Sequence, residues 1–205
     1  MRAVLALAAL MVVSCQSKRV PTQADVVWLH QATLPTVTAQ VVPPFQLGAV
    51  DAFSQMGIVH YIDTAIKDKR PVIDVVIDSP GGSATAAFTI MRAILGAGRP
   101  VHCRVTGLAA SAAFVILQAC TVRSAADSAL FMMHEASASG EMSGGVRTYQ
   151  NVTNYLGVIN RTMVRHCARR IGIKDSELAA RIEGGREWWL TADEALAAHV
   201  IDGIR

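Results

Sequence analysis

From residue 45 onward, short apolar runs alternate with stretches of helical period. Val50–Lys67 predicts a helix, because Phe53, Met56, Ile58, Ile62 and Ile66 recur at near-helical spacing. Pro71 breaks it, and the β-branched run Val72–Asp78 reads as a buried parallel strand closed by Ser79-Pro80-Gly81-Gly82. Thr85–Leu95 predicts a helix ended at Gly96–Gly98, followed by a strand at Val101–Thr106 and an apolar, Ala-rich helix at Ser111–Ala119. Leu130–Met133 is a short strand and Gly140–Gly145 a loop. Tyr149–Arg170 is a long helix with a polar face, and shorter helices follow at Ser176–Glu183 and Thr191–His199. Strand, Gly-rich turn and helix in repeated succession predict an α/β fold of βαβ units.

The first 44 residues follow different rules. Met1-Arg2 precedes the apolar run Ala3–Val13, and polar residues begin after Cys15. A permanent membrane span needs about 20 apolar residues, so this run reads instead as a secretory signal peptide over 1–14. Its end, Val12-Val13-Ser14-Cys15, resembles the lipobox of bacterial lipoproteins. That implies cleavage before Cys15, acylation of its thiol and a lipid anchor on the periplasmic side of a bacterial membrane. Residues 15–44 read as a linker passing into a first strand near Thr36–Val42, with the folded domain over 45–205.

Composition narrows the choices. Hydrophobic residues make up 52% and charged residues 17% of 205, enough for a core without stapling by several disulfides. The net charge of +3 is scattered and aromatics are 5%, so neither a basic stripe nor a stacking platform points to nucleic acid. No Cys-x-x-Cys or His-Glu-x-x-His spacing occurs, and no metal site or cofactor is expected.

Two strand-to-helix turns carry candidate chemistry. In Asp78-Ser79-Pro80-Gly81-Gly82-Ser83, Pro forces extended backbone before it and paired Gly permits bare N–H groups to face an anion. The turn lacks the Lys of a P-loop and the spacing of a dinucleotide fold, so it does not predict phosphate binding. In Gly107–Phe114, small residues flank Ser111 at a strand-to-helix junction. Ser111 there is either a positioned nucleophile or an ordinary helix N-cap.

Four segments taken together resemble the Clp protease proteolytic subunit family, of the Clp/crotonase fold. They are IDSPGGSATAAFTIMRAI, VTGLAASAAFVIL, LFMMHEAS and WWLTADEALAAHVIDGI, in order. The resemblance implies a serine endopeptidase with Ser111 as nucleophile and His134 as general base. It also implies an oxyanion hole from the backbone N–H groups of Gly82 and Ala112. Glu187 falls where the family usually has Asp, so the triad acid carries one extra methylene; Glu183 and Asp193 are alternatives. Tyr149–Arg170 resembles the family's protruding handle helix, which implies a homo-oligomer acting on peptides or unfolded protein. The chain carries no ATP motif, and an exported enzyme would work without an ATP-driven partner.

Other functions compete. A Ser–Lys protease of the signal-peptide-peptidase type would have to draw on Lys18, Lys67, Lys69 or Lys174. A crotonase acting on acyl-CoA and a non-catalytic scaffold share the same fold. Among the cysteines, Cys103 lies in a predicted strand and Cys120 at the end of the helix that follows. Strand and helix rises of about 3.3 and 1.5 Å per residue bring both thiols to a similar level. In an oxidising compartment they form either a disulfide or a pair of small buried thiols, leaving Cys167 free.

Overall fold

A computed structural model of the chain describes residues 43–138 and 143–205. The signal peptide, Cys15 and the strand expected near Thr36–Val42 lie outside the described residues, as does part of the loop at Gly140–Gly145. Among the described residues, no helix is long and apolar enough to cross a membrane.

A parallel sheet forms the centre. Its strands run in the order β1 (Phe45–Leu47), β2 (Ile73–Ser79), β3 (Val101–Ala110), β4 (Val122–Ala125) and β7 (Gly203–Ile204). β3 is long enough to serve two neighbours on one side. Its first half pairs with β4, and its last residues pair in parallel with β5 (Leu130–Met133), with Ala110 opposite Met132. β5 then pairs antiparallel with β6 (Trp188–Thr191). The expected strand Val101–Thr106 therefore continues through Gly107 to Ala110, because these residues fill the gap between β2 and β5. Strands β1, β4, β6 and β7 are too short for a clear period, which is why the sequence pattern does not reveal them.

β2 buries Ile73, Val75, Ile77 and Ser79 while Asp74 and Asp78 face solvent, so it alternates rather than being buried on both faces. Its buried side packs against α1 (Ala52–Lys67), α2 (Ala84–Gly96) and the rest of one hydrophobic core. α1 starts at a capping box. Asp51 Oδ1 accepts from the Ser54 N–H at 2.8 Å and Ser54 Oγ from the Asp51 N–H at 2.9 Å. Its buried stripe is Ile58, Ile62 and Ala65. Phe53 and Met56, part of the apolar period that predicted the helix, are exposed, since at 3.6 residues per turn they fall on the opposite side from that stripe.

α3 (Ala112–Leu117) is buried along its whole length. α4 (Val146–Ile171), the handle-like helix, has 26 residues and buries its C-terminal half through Ile159, Met163, Val164, Cys167, Ala168 and Ile171. It ends at Gly172 in the left-handed conformation. α5 (Asp175–Ile182) and α6 (Ala192–Ala197) complete the fold.

Two cross-links tie the Ser111-bearing segment to the rest. Cys103 and Cys120 are joined as a disulfide with Cα atoms 5.9 Å apart, fastening β3 to the end of α3. Cys167 is free and buried, and burial pushes its thiol pKa far upward. The second is polar. Buried Arg123 donates to Gln118 Oε1 at 2.6 Å and pairs with Asp202, while Gln118 Nε2 donates to the Val200 carbonyl at 3.2 Å. The C-terminal segment is thereby pinned to α3.

Candidate active site

Ser111 follows the last residue of β3, and His134 the last residue of the adjacent parallel strand β5. The Ser111 N–H donates to the Met132 carbonyl at 2.8 Å, locking the two strand ends together. The side chains meet: His134 Nε2 lies 2.7 Å from Ser111 Oγ. Ser111 holds φ 54° and ψ −119°, an unusual conformation for a residue other than glycine. The sharp turn between strand and buried helix imposes it, at a cost of about 1–3 kcal/mol. Ser111 occupies the N-cap position of α3, but its side chain makes no capping bond and faces His134 instead.

The Gly81-Gly82 turn fits against this elbow. The Val50 N–H donates to the Gly81 carbonyl at 2.8 Å, and the Ser83 N–H to the Val50 carbonyl at 2.7 Å. Gly82 has φ +142°, and a Cβ there would lie 2.2 Å from the Val50 carbonyl oxygen. Only glycine fits. Gly82 and Ala112 both line a cavity of about 790 Å³ beside Ser111 and His134. Among the described residues, neither of their N–H groups has a backbone or side-chain acceptor. Ser83 caps α2 by accepting from the Ala86 N–H at 3.2 Å, so the turn leads directly into that helix. The far wall of the cavity is α4, through Val152, Tyr155, Leu156, Ile159 and Met163. Among the described residues, no Asp, Glu, Lys or Arg lines it.

Glu187 immediately precedes β6. The β5–β6 ladder pairs Leu130 with Thr191 and ends with Met133 opposite Trp188, so His134 and Glu187 flank its last pair. Its carboxylate, however, is engaged elsewhere: Oε2 accepts from the Trp189 indole N–H at 2.8 Å. Glu183 is the C-cap of α5, and Asp193 sits in the first turn of α6. Lys174 is the N-cap of α5 and Lys67 ends α1; neither lines the cavity, nor does Lys69. No cluster of His, Cys, Asp and Glu among the described residues is suited to a metal.

Three supports went unread in the sequence. Asp78 Oδ1 accepts from the Leu108 N–H at 3.0 Å, holding the end of β3 against β2; a side chain at Gly107 would meet that carboxylate. Asn160 of α4 accepts from the Ala136 N–H at 2.7 Å, fixing the backbone after His134. Glu135 Oε2 accepts from Gly184 and Gly185 N–H at 3.1 and 3.2 Å, tying the His134 segment to the turn before Glu187. Each joins positions distant along the chain, so no local pattern could reveal it.

The arrangement offers a hydroxyl, a base within proton-transfer reach, and two bare N–H groups at one cavity. Residues 48–205 match the Clp protease family. The ATP-dependent Clp protease proteolytic subunit 1 of Chlamydia pneumoniae is 33% identical over 170 residues, covering 79% of this chain and 82% of the relative. Subunit 1 of Chlamydia trachomatis serovar D is 32% identical over 143 residues, covering 66% of this chain and 70% of the relative. The structure of a ClpP1 variant from Listeria monocytogenes superposes with a TM-score of 0.72 at 18% identity, covering 79% of this chain and 90% of that one, and so shares the Clp/crotonase-like fold. Since the family match takes in every strand from β2 onward together with Ser111 and His134, this chain belongs to the Clp protease family.

Proposed function

We propose that this chain is an exported serine endopeptidase that hydrolyses peptide bonds through Ser111, His134 and Glu187. The observation that carries the reading is the 2.7 Å approach of His134 Nε2 to Ser111 Oγ. A Ser hydroxyl is a weak nucleophile until a base removes its proton. His134 takes that proton as Oγ attacks the peptide carbonyl, and the N–H groups of Gly82 and Ala112 receive the developing oxyanion. His134 then protonates the leaving amine. Water, deprotonated by His134 in turn, releases the acyl group from Ser111. Glu187 orients the imidazole and stabilises its charged form. The apolar side chains that α4 turns to the cavity, Val152, Leu156, Ile159 and Met163, favour peptides presenting apolar residues.

Export with lipidation at Cys15 belongs to the same proposal, which puts the domain on the periplasmic side of a bacterial membrane. The Cys103–Cys120 disulfide suits an oxidising compartment. No ATP is expected there, so the enzyme works on short or unfolded peptides without an ATP-driven partner. Clp proteases form homo-oligomers, and α4 is the element expected to join copies of this chain.

Labelling by a fluorophosphonate tests the reading. The wild-type chain should be modified at Ser111, and S111A should not. Equal labelling of both chains would remove Ser111 from the mechanism.

A further inference from the structure

The carboxylate proposed as the triad acid is occupied by a side chain that the mechanism does not use. We propose that Trp189 is a positioning residue: its indole N–H holds Glu187 away from His134, and the triad is complete only when that bond opens. The inference rests on Glu187 acting as the acid.

Three observations carry it. First, His134 and Glu187 are the residues that flank the last pair of the β5–β6 ladder, Met133 and Trp188. Neighbouring strands lie about 4.7–4.9 Å apart, so residues flanking their last pair come within reach of a Glu side chain. Second, the Glu187 side chain is held by a residue two positions on, in β6. The Trp189 Nε1–H donates to Glu187 Oε2 at 2.8 Å and draws the carboxylate along the strand rather than across to His134. Third, among the described residues the His134 imidazole hydrogen-bonds only to Ser111, through Nε2.

Glu187 therefore has two competing donors, the Trp189 indole and the His134 Nδ1–H. Trp189 is 49% exposed, so the competing bond lies at the surface and opens without disturbing the core. The extra methylene of Glu relative to Asp gives the carboxylate the length to swing between them.

W189F removes the donor and keeps an aromatic ring. Fluorophosphonate labelling of Ser111 in the full chain should become about three- to tenfold faster, the scale of one ordinary net hydrogen bond. That gain should vanish in the E187Q/W189F double variant. Proton NMR reads the bond independently of turnover. W189F should produce or strengthen a low-field His134 Nδ1–H resonance, E187Q/W189F should lack it, and E187Q alone should shift the Trp189 indole N–H. The proposal is overturned if W189F labels no faster, if its gain persists without Glu187, or if the indole resonance ignores E187Q. Equal labelling of S111A and wild type would instead defeat the serine-peptidase reading, and the NMR comparison would still decide the role of Trp189.

Discussion

Gly81 lies directly against Ser111: a Cβ built at position 81 would sit 2.7 Å from the Ser111 Cβ and 2.7 Å from the Ala110 carbonyl oxygen. The turn with the bare N–H groups and the turn with the hydroxyl are thus two halves of one packed joint. G81A must either push Ser111 aside or shift the turn, and its φ of +97° adds backbone strain. It should abolish probe labelling and cost about 1–3 kcal/mol in chemical denaturation. At Gly48 nothing lies within 4 Å of an added Cβ, so G48A should leave both measurements near wild type.

Ser111 and His134 are expected to act as one unit. S111A, H134A and the double variant should lose peptide hydrolysis to similar extents, because either change alone removes the shared proton transfer. E183Q and D193N should retain activity, whereas E187Q should not. Multiplicative losses in the S111A/H134A pair would argue against a common step.

Reducing Cys103–Cys120 should destabilise the domain by on the order of 3 kcal/mol, since a closed loop of this length limits the unfolded chain. Reductant should therefore lower the Tm of wild type and leave that of C103S/C120S unchanged. Peptide mapping without reduction should recover the Cys103–Cys120 link. Buried Cys167 should resist alkylation until the protein unfolds.

Asp202 sets a pH dependence. Burial opposes its ionisation, but hydrogen bonds from the Arg123 side chain and backbone, with the nearby charge of Arg170, outweigh it and lower its pKa. A carboxylate with a depressed folded-state pKa contributes stability above the unfolded value, lost as pH falls through the folded one. D202N should thus be less stable than wild type near neutral pH, and the gap should close on acidification below the usual carboxylate range. Since Asp202 is 38% exposed, solvent screening limits the loss to about 1–3 kcal/mol, despite the burial of Arg123. Urea titrations across the acid range would measure both.

Cys15 is the expected attachment point of a lipid. Labelling with a fatty-acid analogue should mark wild type and not C15A, and C15A should accumulate as an uncleaved or mislocalised precursor. Each buried CH₂ of an acyl chain contributes about 0.8 kcal/mol to membrane binding, so losing the anchor should shift the protein out of the membrane fraction. Acyl labelling that survives C15A would rule this site out.

Local sequence determined a good part of the molecule. The β-branched run before Ser79-Pro80-Gly81-Gly82, the capped helix after it and the small residues around Ser111 mark β2, α2 and the β3–α3 elbow, because strand, turn and helix preferences act over a few neighbours. The order of four segments pointed to the family, and with it to Ser111 and His134. Tertiary structure decided what depends on pairing between distant residues. The β3–β5 register, with Ala110 opposite Met132, sets Ser111 beside His134. The β5–β6 register brings the segments that end in His134 and begin with Glu187 together, while the rotamer of one side chain hands the Glu187 carboxylate to Trp189. Phe53 and Met56 show the same division: periodicity made α1 a helix, but only packing against the sheet chose Ile58, Ile62 and Ala65 as the face it buries. Helix and strand periods are properties of a local stretch of chain, whereas register, facing and side-chain partnership are set by which surfaces meet when the chain closes on its core.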